Sequence, residues 1–435
     1  MAEGESLAVS PSPQPSPGGR GSKQATAASV RRWQDAKFGI FIHFGPWSQT
    51  EKGLIWPMTL TCSAKKRERD LNLYRTFNPI HFDATEWARA IRRSGARYAV
   101  FTTKHHDGFC NFDTALTNAR ITSPECPYSS SKSPDITRDF VDAMRAQKLM
   151  VGLYYSNVDW RHPDGVWHSH AKFDEAFPLA HPDRWRRFVS FEQGQVRELL
   201  THYGPIDLFW FDVWWPKSGQ GDAVPMLQMM RRLQPNMLIN DRGTDGFADF
   251  VTAEQGIPNP VPDGPWESCF TISEGNGFWY KGPRAKYKSA AELIRLLADV
   301  ASKGGNLLLN IGPKPDGSLV EQEVQRMEEI GNWLARNGQA IYGTTRGPLA
   351  HVPPWGRVTR RGSRLYLIVF DWPKPGTPLR LQLTQHVTAA SLLGESAPVA
   401  FQALPDHSGV ELHLPSAAPD PVASVIQLDF SESQR

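Results

Sequence analysis

The chain has 435 residues, 40% of them hydrophobic and 21% charged, which is the composition of an ordinary globular protein. Its net charge of +3 is small and no basic stripe accompanies it, so we expect no nucleic-acid partner. No apolar run approaches the roughly 18 residues of a membrane span, and none near the N-terminus has signal-peptide length. We therefore expect a cytoplasmic protein with no membrane partner, or a periplasmic or secreted one if the N-terminus is misassigned.

Residues 1–30 differ in composition from everything that follows them. They contain the tract SPSPQPSPGGRGS, which is rich in proline, serine and glycine. Such a tract cannot bury a hydrophobic core, so we predict that residues 1–30 are disordered. From Trp33 onwards, short apolar segments alternate with amphipathic helical patterns, which is typical of a repeating βα fold.

Eight apolar segments are candidate strands: 38–44, 97–103, 149–155, 206–211, 237–241, 249–253, 266–272 and 306–311. Helical patterns lie between several of them, and Ser289 with Glu292 forms a capping box ahead of one such helix. Eight strands with intervening helices over about 300 residues predict an α/β fold, a (β/α)8 or TIM-like barrel. The connections between the fifth, sixth and seventh strands are too short for full helices, so we expect an irregular barrel.

After Gly343 the pattern changes to alternating apolar and polar residues between proline and glycine breaks, as in RLYLIVFDW and SVIQLDF. This period of two predicts a small C-terminal antiparallel β-sandwich. We therefore assign residues 31–345 to the catalytic barrel and residues 346–435 to the sandwich. The cysteines have neither paired nor Cys/His spacing, so we expect no zinc site and no disulfide framework; they are Cys62, Cys110, Cys126 and Cys269.

A barrel places its chemistry at the carboxyl-terminal ends of its strands. Asp212 directly follows the predicted strand 206–211 within the apolar stretch GPIDLFWFDVWWP. It has no cation beside it in sequence, and an unpaired buried carboxylate would be costly there. Other polar or aromatic residues stand at corresponding strand ends: His43, His105, His106, Tyr155, Trp210, Arg242 and Glu254. The coincidence of so many such residues predicts that Asp212 belongs to a functional site.

Glycoside hydrolysis is the chemistry that this set of residues suggests. It commonly uses two carboxyl groups, a nucleophile and a proton donor. Asp212 and Glu254, at the ends of the fourth and sixth predicted strands, fit that division of roles. Arg242 could keep the nucleophile ionised, and aromatic residues could contact the apolar face of a sugar ring.

Six segments resemble the α-L-fucosidases of glycoside hydrolase family 29. They are KFGIFIHFG (37–45), TTKHHDGF (102–109), GLYYSNVDW (152–160), DLFWFD (207–212), NDRG (240–243) and GGNLLLNIGPKPDG (304–317). The resemblance covers the whole predicted barrel. It implies an exo-acting, retaining enzyme that removes terminal α-L-fucose from fucosylated oligosaccharides or glycoconjugates by double displacement, without a cofactor or metal ion.

The resemblance also implies roles for individual residues. The family's nucleophile falls on Asp212. The acid/base falls on Glu254 in VTAEQG, with Glu267 in PWESCFTI as the alternative. The implied sugar-binding residues are His43, Trp56, His105, His106, Tyr155, Trp210 and Arg242. The first loop departs from the family pattern, because Ile55 precedes Trp56 where many members have an acidic residue.

Two other interpretations stay open from the residues alone. One is a catalytically weak barrel that only binds fucose, which a missing carboxylate would favour. The other is a metal-dependent hydrolase that uses His105 and His106, although no third zinc ligand is evident at a suitable spacing. Tyr155 and Trp210 could also be ordinary core residues. The sequence leaves the linkage, the aglycone and the state as monomer or oligomer open.

Overall fold

The computed structural model describes residues 23–431, apart from 51–62, 166, 170, 171, 244, 245, 276, 350, 395, 396, 406 and 407. The predicted disorder of residues 1–30 is wrong for 23–30, because helix α1 (Ala27–Ala36) begins there with Thr26 as its cap. The backbone N–H of Ala25 also donates to the Asp249 carboxylate at 2.7 Å. Across the described part of the chain, no helix is long and apolar enough to cross a membrane.

Eight parallel strands form one curled sheet, which confirms the predicted barrel architecture. The eight strands are β1 (Phe38–Ile42), β2 (Tyr98–Lys104), β3 (Met150–Ser156), β6 (Leu208–Asp212), β7 (Leu238–Ile239), β8 (Val251–Glu254), β9 (Trp266–Thr271) and β10 (Asn306–Ile311). A separate short hairpin between β3 and β6 consists of β4 (Trp167–Ser169) and β5 (Lys172–Phe173). Their order across the sheet is β7-β6-β3-β2-β1-β10-β9-β8. A parallel bridge between Asn240 and Phe250 joins the two edges of this sheet.

The other α-helices of the described residues are α2 (Ala64–Leu71), α3 (Ala84–Arg93), α4 (Ile136–Ala146), α5 (Phe177–Ala180), α6 (Pro182–His202), α7 (Gln220–Leu233), α8 (Ala290–Ser302) and α9 (Glu321–Asn337). Helix α8 begins with the predicted capping box, in which Ser289 and Glu292 bond each other's backbone N–H groups. The described residues between β7 and β9 contain no helix. The barrel is therefore irregular between its fifth and seventh strands, as the short connections in the sequence predicted.

Alternation along the strands separates two apolar layers. One set of side chains, including Phe41, Tyr98, Tyr154 and Trp210, packs together inside the barrel. The alternate side chains pack against the surrounding helices. Because successive strand residues point to opposite faces, only the first set can reach a site at the mouth of the barrel.

The C-terminal residues form two antiparallel sheets, as predicted for a sandwich. Their strands are β11 (Thr345–Arg346), β12 (Gly356–Arg361), β13 (Arg364–Val369), β14 (Leu379–Gln382), β15 (Val387–Leu392), β16 (Ala400–Ala403), β17 (Gly409–His413) and β18 (Ser424–Phe430). Leu365, Leu412 and Ile426 belong to a core of their own between the sheets. The indole N–H of Trp333 on α9 donates to the Ala423 carbonyl at 2.9 Å, which ties the sandwich to the barrel.

Candidate active site

Asp212 ends β6 at the mouth of the barrel, with 17% of its side chain exposed. Its Oδ1 accepts hydrogen bonds from Arg242 Nη1 at 2.7 Å and from the Val213 backbone N–H at 2.9 Å. Its Oδ2 accepts one from the Tyr154 hydroxyl at 2.7 Å. Burial raises the pKa of Asp212, but Arg242, His106 and Tyr154 together outweigh burial and lower that pKa to about 2. This ionised, firmly oriented carboxylate has the properties of a nucleophile.

The residue after each of the two predicted catalytic carboxylates has a left-handed backbone. Val213 has φ 66°, and Gln255, which follows Glu254, has φ 51°. This conformation costs a residue with a β-carbon roughly 1–3 kcal/mol, and a β-branched valine is rarely found in it. The turn at Val213 brings its own N–H onto the Asp212 carboxylate. Both strands therefore end abruptly at their carboxylates.

Arg242 follows β7 and joins the two carboxylates. Its Nη1 lies 2.7 Å from Asp212 Oδ1, and its Nη2 lies 3.1 Å from Glu254 Oε2. Its Nε donates to Thr252 Oγ1 at 3.1 Å, which fixes the plane of the guanidinium group. The Glu254 side chain is 47% exposed, whereas Arg242 is buried. The more accessible carboxylate therefore stands on the solvent side of this ion-pair network.

Glu267, the alternative acid/base, lies inside the barrel on β9 and is buried. Its Oε2 accepts a hydrogen bond from the Tyr98 hydroxyl at 2.5 Å, and its Oε1 accepts one from Trp210 Nε1 at 3.0 Å. Burial raises the pKa of Glu267 to about 7. A proton donor has to reach the leaving group at the mouth of the barrel, and both oxygens of Glu267 are occupied in the core. These contacts favour Glu254 as the acid/base.

Three buried histidines line one side of the site, and the hydrogen-bond network assigns the protons of two of them. His43 Nδ1 lies 2.6 Å from Asn310 Oδ1, while Asn310 Nδ2 donates to the Phe278 carbonyl at 2.8 Å. The neutral His43 ring therefore keeps its proton on Nδ1. His105 Nδ1 accepts from the His106 backbone N–H at 2.8 Å, so its proton is on Nε2. One ring thus offers an Nε2 acceptor and the other an Nε2 donor, a combination that suits sugar hydroxyls.

These histidines are neutral near pH 7. Burial lowers the pKa of His43 and that of His106 to about 4, and it lowers the pKa of His105 well below its usual value. His106 Nδ1 lies 2.6 Å from Ser156 Oγ, and its Nε2 lies 3.6 Å from Asp212 Oδ2. Because a neutral imidazole both donates and accepts, each ring can bind a hydroxyl group without bringing a second cation to the nucleophile.

His105, His106 and Asp212 also hold potential metal-ligand atoms within 4.8 Å of one another. However, both carboxylate oxygens of Asp212 already accept hydrogen bonds, and the Arg242 cation lies 2.7 Å away. A metal ion would have to compete with that cation for the same carboxylate. The geometry therefore favours sugar binding by the histidines over the metal-dependent alternative.

The tyrosine of the site is Tyr154, which corrects the interpretation of Tyr155 as a substrate-binding residue. In the β3–β6 pairing, Tyr154 lies opposite Trp210 and Tyr155 opposite Phe211. The hydroxyl of Tyr155 donates to Gln195 on α6 at 2.8 Å, outside the barrel. Neighbouring strand residues point to opposite faces, so only one of the two tyrosines can reach Asp212.

Trp210 supports the site from inside the barrel. Its ring is buried and lies 4.7 Å from Arg242 Cζ, and its N–H is bonded to Glu267. Trp56 lies outside the described residues.

Sequence reasoning missed Phe278, a half-buried ring 5.1 Å from the His43 ring, because no strand or helical pattern placed it at the barrel mouth. It also missed Trp214, which lies 5.2 Å from Arg242 Cζ.

The chain is similar to known proteins in sequence and in fold. The family described as alpha-L-fucosidase matches residues 15–339. Alpha-L-fucosidase isoenzyme 1 from Paenibacillus thiaminolyticus is 33% identical, with a TM-score of 0.81 over 93% of this chain and 99% of its own. A family 29 α-L-fucosidase from Bacteroides thetaiotaomicron, solved as a trapped covalent intermediate with 2-fluoro-fucosyl fluoride, is 26% identical, with a TM-score of 0.80 over 94% and 97%. The alpha-L-fucosidase of Branchiostoma floridae is 28% identical over 423 residues, 89% of each chain.

Proposed function

This chain belongs to the α-L-fucosidase family and is a retaining α-L-fucosidase, in which, we propose, Asp212 is the nucleophile and Glu254 the acid/base. The observation that carries these two roles is the contact of one guanidinium group with both carboxylates, at 2.7 and 3.1 Å from Arg242. Retaining enzymes place their two carboxyl groups about 5–5.5 Å apart. A single arginine can contact both groups only if they lie close together.

In the first step, a carboxylate oxygen of Asp212 attacks the anomeric carbon of fucose. The bond between that carbon and the leaving oxygen breaks, and protonated Glu254 gives its proton to the departing oxygen. The products are a fucosyl ester on Asp212, an alcohol and the Glu254 carboxylate. The configuration at the anomeric carbon is inverted once.

In the second step, the Glu254 carboxylate takes a proton from water as the water oxygen attacks the anomeric carbon. The ester bond breaks and Asp212 leaves as a carboxylate, while Glu254 regains the proton for the next cycle. Because each of the two displacements inverts the carbon, the first product is α-L-fucose. The reaction consumes one water molecule and needs no other reactant.

Arg242 faces one negative charge throughout this cycle. Before the first step the charge is on Asp212 and Glu254 carries the proton. After that step the ester has removed the charge of Asp212, and Glu254 has become the carboxylate. Since Arg242 contacts both groups, the same cation stabilises each state without moving far, which is electrostatic preorganisation.

The substrate that we propose is the terminal fucose of an oligosaccharide or glycoconjugate. The neutral rings of His43 and His105 supply an acceptor and a donor for its hydroxyl groups. The half-buried ring of Phe278 supplies an apolar surface for the methyl group that distinguishes fucose from most hexoses. A pocket with hydroxyl partners and one apolar wall selects a deoxy sugar, because the hydroxyl of a hydroxymethyl group in place of the methyl would have no hydrogen-bond partner there.

The test is hydrolysis of chromogenic α-L-fucosides beside other chromogenic glycosides, with proton NMR of the first product. We expect release from the fucoside, α-L-fucose as the first-formed anomer, and no release after Asp212→Asn substitution. Release from another glycoside but not from the fucoside would refute the substrate. β-L-Fucose as the first product would refute retention.

A further inference from the structure

Trp214 presents an exposed indole ring beside the catalytic carboxylates. It follows Asp212 by two residues, and 52% of its side chain is exposed. Trp210 and Trp215, its neighbours in the same segment, are each 2% exposed and fill the core. An isolated apolar side chain on a protein surface needs no explanation, but this one lies against the arginine of the active site.

Arg242 shows on which side of the site Trp214 lies. Its guanidinium carbon is 4.7 Å from the ring of Trp210 and 5.2 Å from the ring of Trp214. Because Trp210 fills the barrel interior, the exposed Trp214 lies toward solvent. Glu254, which is bonded to the same guanidinium group, is also exposed. The free indole surface is therefore next to the group that protonates the leaving oxygen.

We propose that Trp214 is the platform on which the leaving group stacks, and so a specificity-determining residue for the ring to which fucose is attached. An indole face binds the apolar C–H face of a pyranose ring or an aromatic ring, and does so with little loss of side-chain freedom. The ligand class is therefore a sugar or aryl ring joined directly to the fucosyl oxygen. The inference rests on the proposed function, because it needs Glu254 at the leaving group.

Two kinds of substrate separate leaving-group binding from chemistry at the fucose. α-L-Fucosyl fluoride has a leaving group without a ring, whereas the disaccharides fucosyl-galactose and fucosyl-N-acetylglucosamine each carry one. For Trp214→Ala we expect the ratio of kcat/KM for the better disaccharide to kcat/KM for the fluoride to fall about tenfold. Trp214→Phe keeps an aromatic face and should restore most of that ratio.

Leu233→Ala is the matched control, because Leu233 is also exposed but lies at the opposite end of the barrel, beside Met150 and Leu208. It should leave the ratio at its wild-type value. If Trp214 instead shielded Arg242 from water, Trp214→Ala would lower kcat/KM equally for the disaccharide and the fluoride. The ratio of the two values would then be unchanged, which would overturn the inference and leave the proposed function intact. A wild-type enzyme that left fucosyl fluoride and both disaccharides uncleaved would refute the proposed function itself.

Discussion

The hydroxyl of Tyr154 donates a 2.7 Å hydrogen bond to Oδ2 of Asp212. Tyr155, the next residue of the same strand, donates to Gln195 at 2.8 Å on the far side of the sheet. The two tyrosines have the same side chain and the same degree of burial, but only one of them touches the nucleophile. Substituting each of the two tyrosines in turn therefore separates an effect on catalysis from an effect on stability.

Tyr154→Phe should lower kcat/KM for an α-L-fucoside, because the mutant loses a hydrogen bond to a charged acceptor, worth about 1.5–3 kcal/mol. The loss also removes one of the contacts that lower the pKa of Asp212. Steady-state kinetics of the purified variant measure the effect. Tyr155→Phe should keep wild-type kcat/KM and lose only stability. Equal losses of activity in the two variants would contradict the assignment of Tyr154.

The choice between these tyrosines shows how far the sequence alone could predict the site. The eight strands were predictable because strands buried on both faces are continuous apolar runs between helical patterns. The same property hides which residue faces inward, since GLYYS carries no alternation of apolar and polar residues. The pairing of β3 with β6 decides it, because it sets Tyr154 opposite Trp210.

Contacts between distant segments were less predictable. Arg242 was expected near Asp212, but its second bond to Glu254 depends on how two short strands meet at the closure of the barrel. The composition of residues 1–30 concealed a helix whose start is held by Asp249, a residue more than 200 positions away. The role of Trp56 and the cellular compartment stay predictions.

Acidification should destabilise the folded chain before it affects the nucleophile. His43 and His106 have a pKa of about 4 in the fold, compared with 6.5 for a free histidine. The unfolded chain therefore binds protons more readily between these values, so this stability is fully present above about pH 6.5 and is lost as pH falls to 4. We expect about 3 kcal/mol of unfolding free energy from each ring. The lowered pKa of Asp212 adds a further loss below pH 4.

Urea unfolding at pH 7 and at pH 4 measures this dependence. His106→Gln removes one titrating ring and keeps a polar side chain beside Ser156, its partner at 2.6 Å. The difference in unfolding free energy between the two pH values should shrink by about 3 kcal/mol in this variant. A difference as large as that of the wild type would show that His106 is not held neutral by the fold.

Removal of divalent metal ions should leave activity unchanged. The cation beside Asp212 is Arg242, and the histidines act as neutral hydrogen-bonding groups. We expect full activity on an α-L-fucoside after dialysis against EDTA. His105→Ala and His106→Ala should each weaken binding of free fucose by about 1–3 kcal/mol, measured by calorimetry. Loss of activity in EDTA and recovery with zinc would establish the metal-dependent alternative instead.

Azide should distinguish the roles of the two catalytic carboxyl groups through the anomer that it forms. Asp212→Gly leaves a space on the face opposite the leaving group, and azide that enters there should give the inverted β-L-fucosyl azide. In Glu254→Ala the nucleophile is intact, so an activated aryl fucoside still forms the fucosyl ester. Azide then attacks that ester and should give the retained α-azide. Proton NMR identifies each product.

Glu267 provides the decisive contrast, because it is the other candidate for the acid/base. Glu267→Ala leaves the Tyr98 hydroxyl and the Trp210 N–H without their acceptor inside the barrel, so activity should fall through damage to the core, and azide should not restore it. Glu267→Gln keeps an amide oxygen for one of these donors and should retain more activity, again without azide rescue. If Glu267→Ala gave azide-rescued α-product while Glu254→Ala behaved like the wild type, the acid/base would move to Glu267. Asp212 would remain the nucleophile, because the β-azide from Asp212→Gly identifies it whichever glutamate is the acid/base.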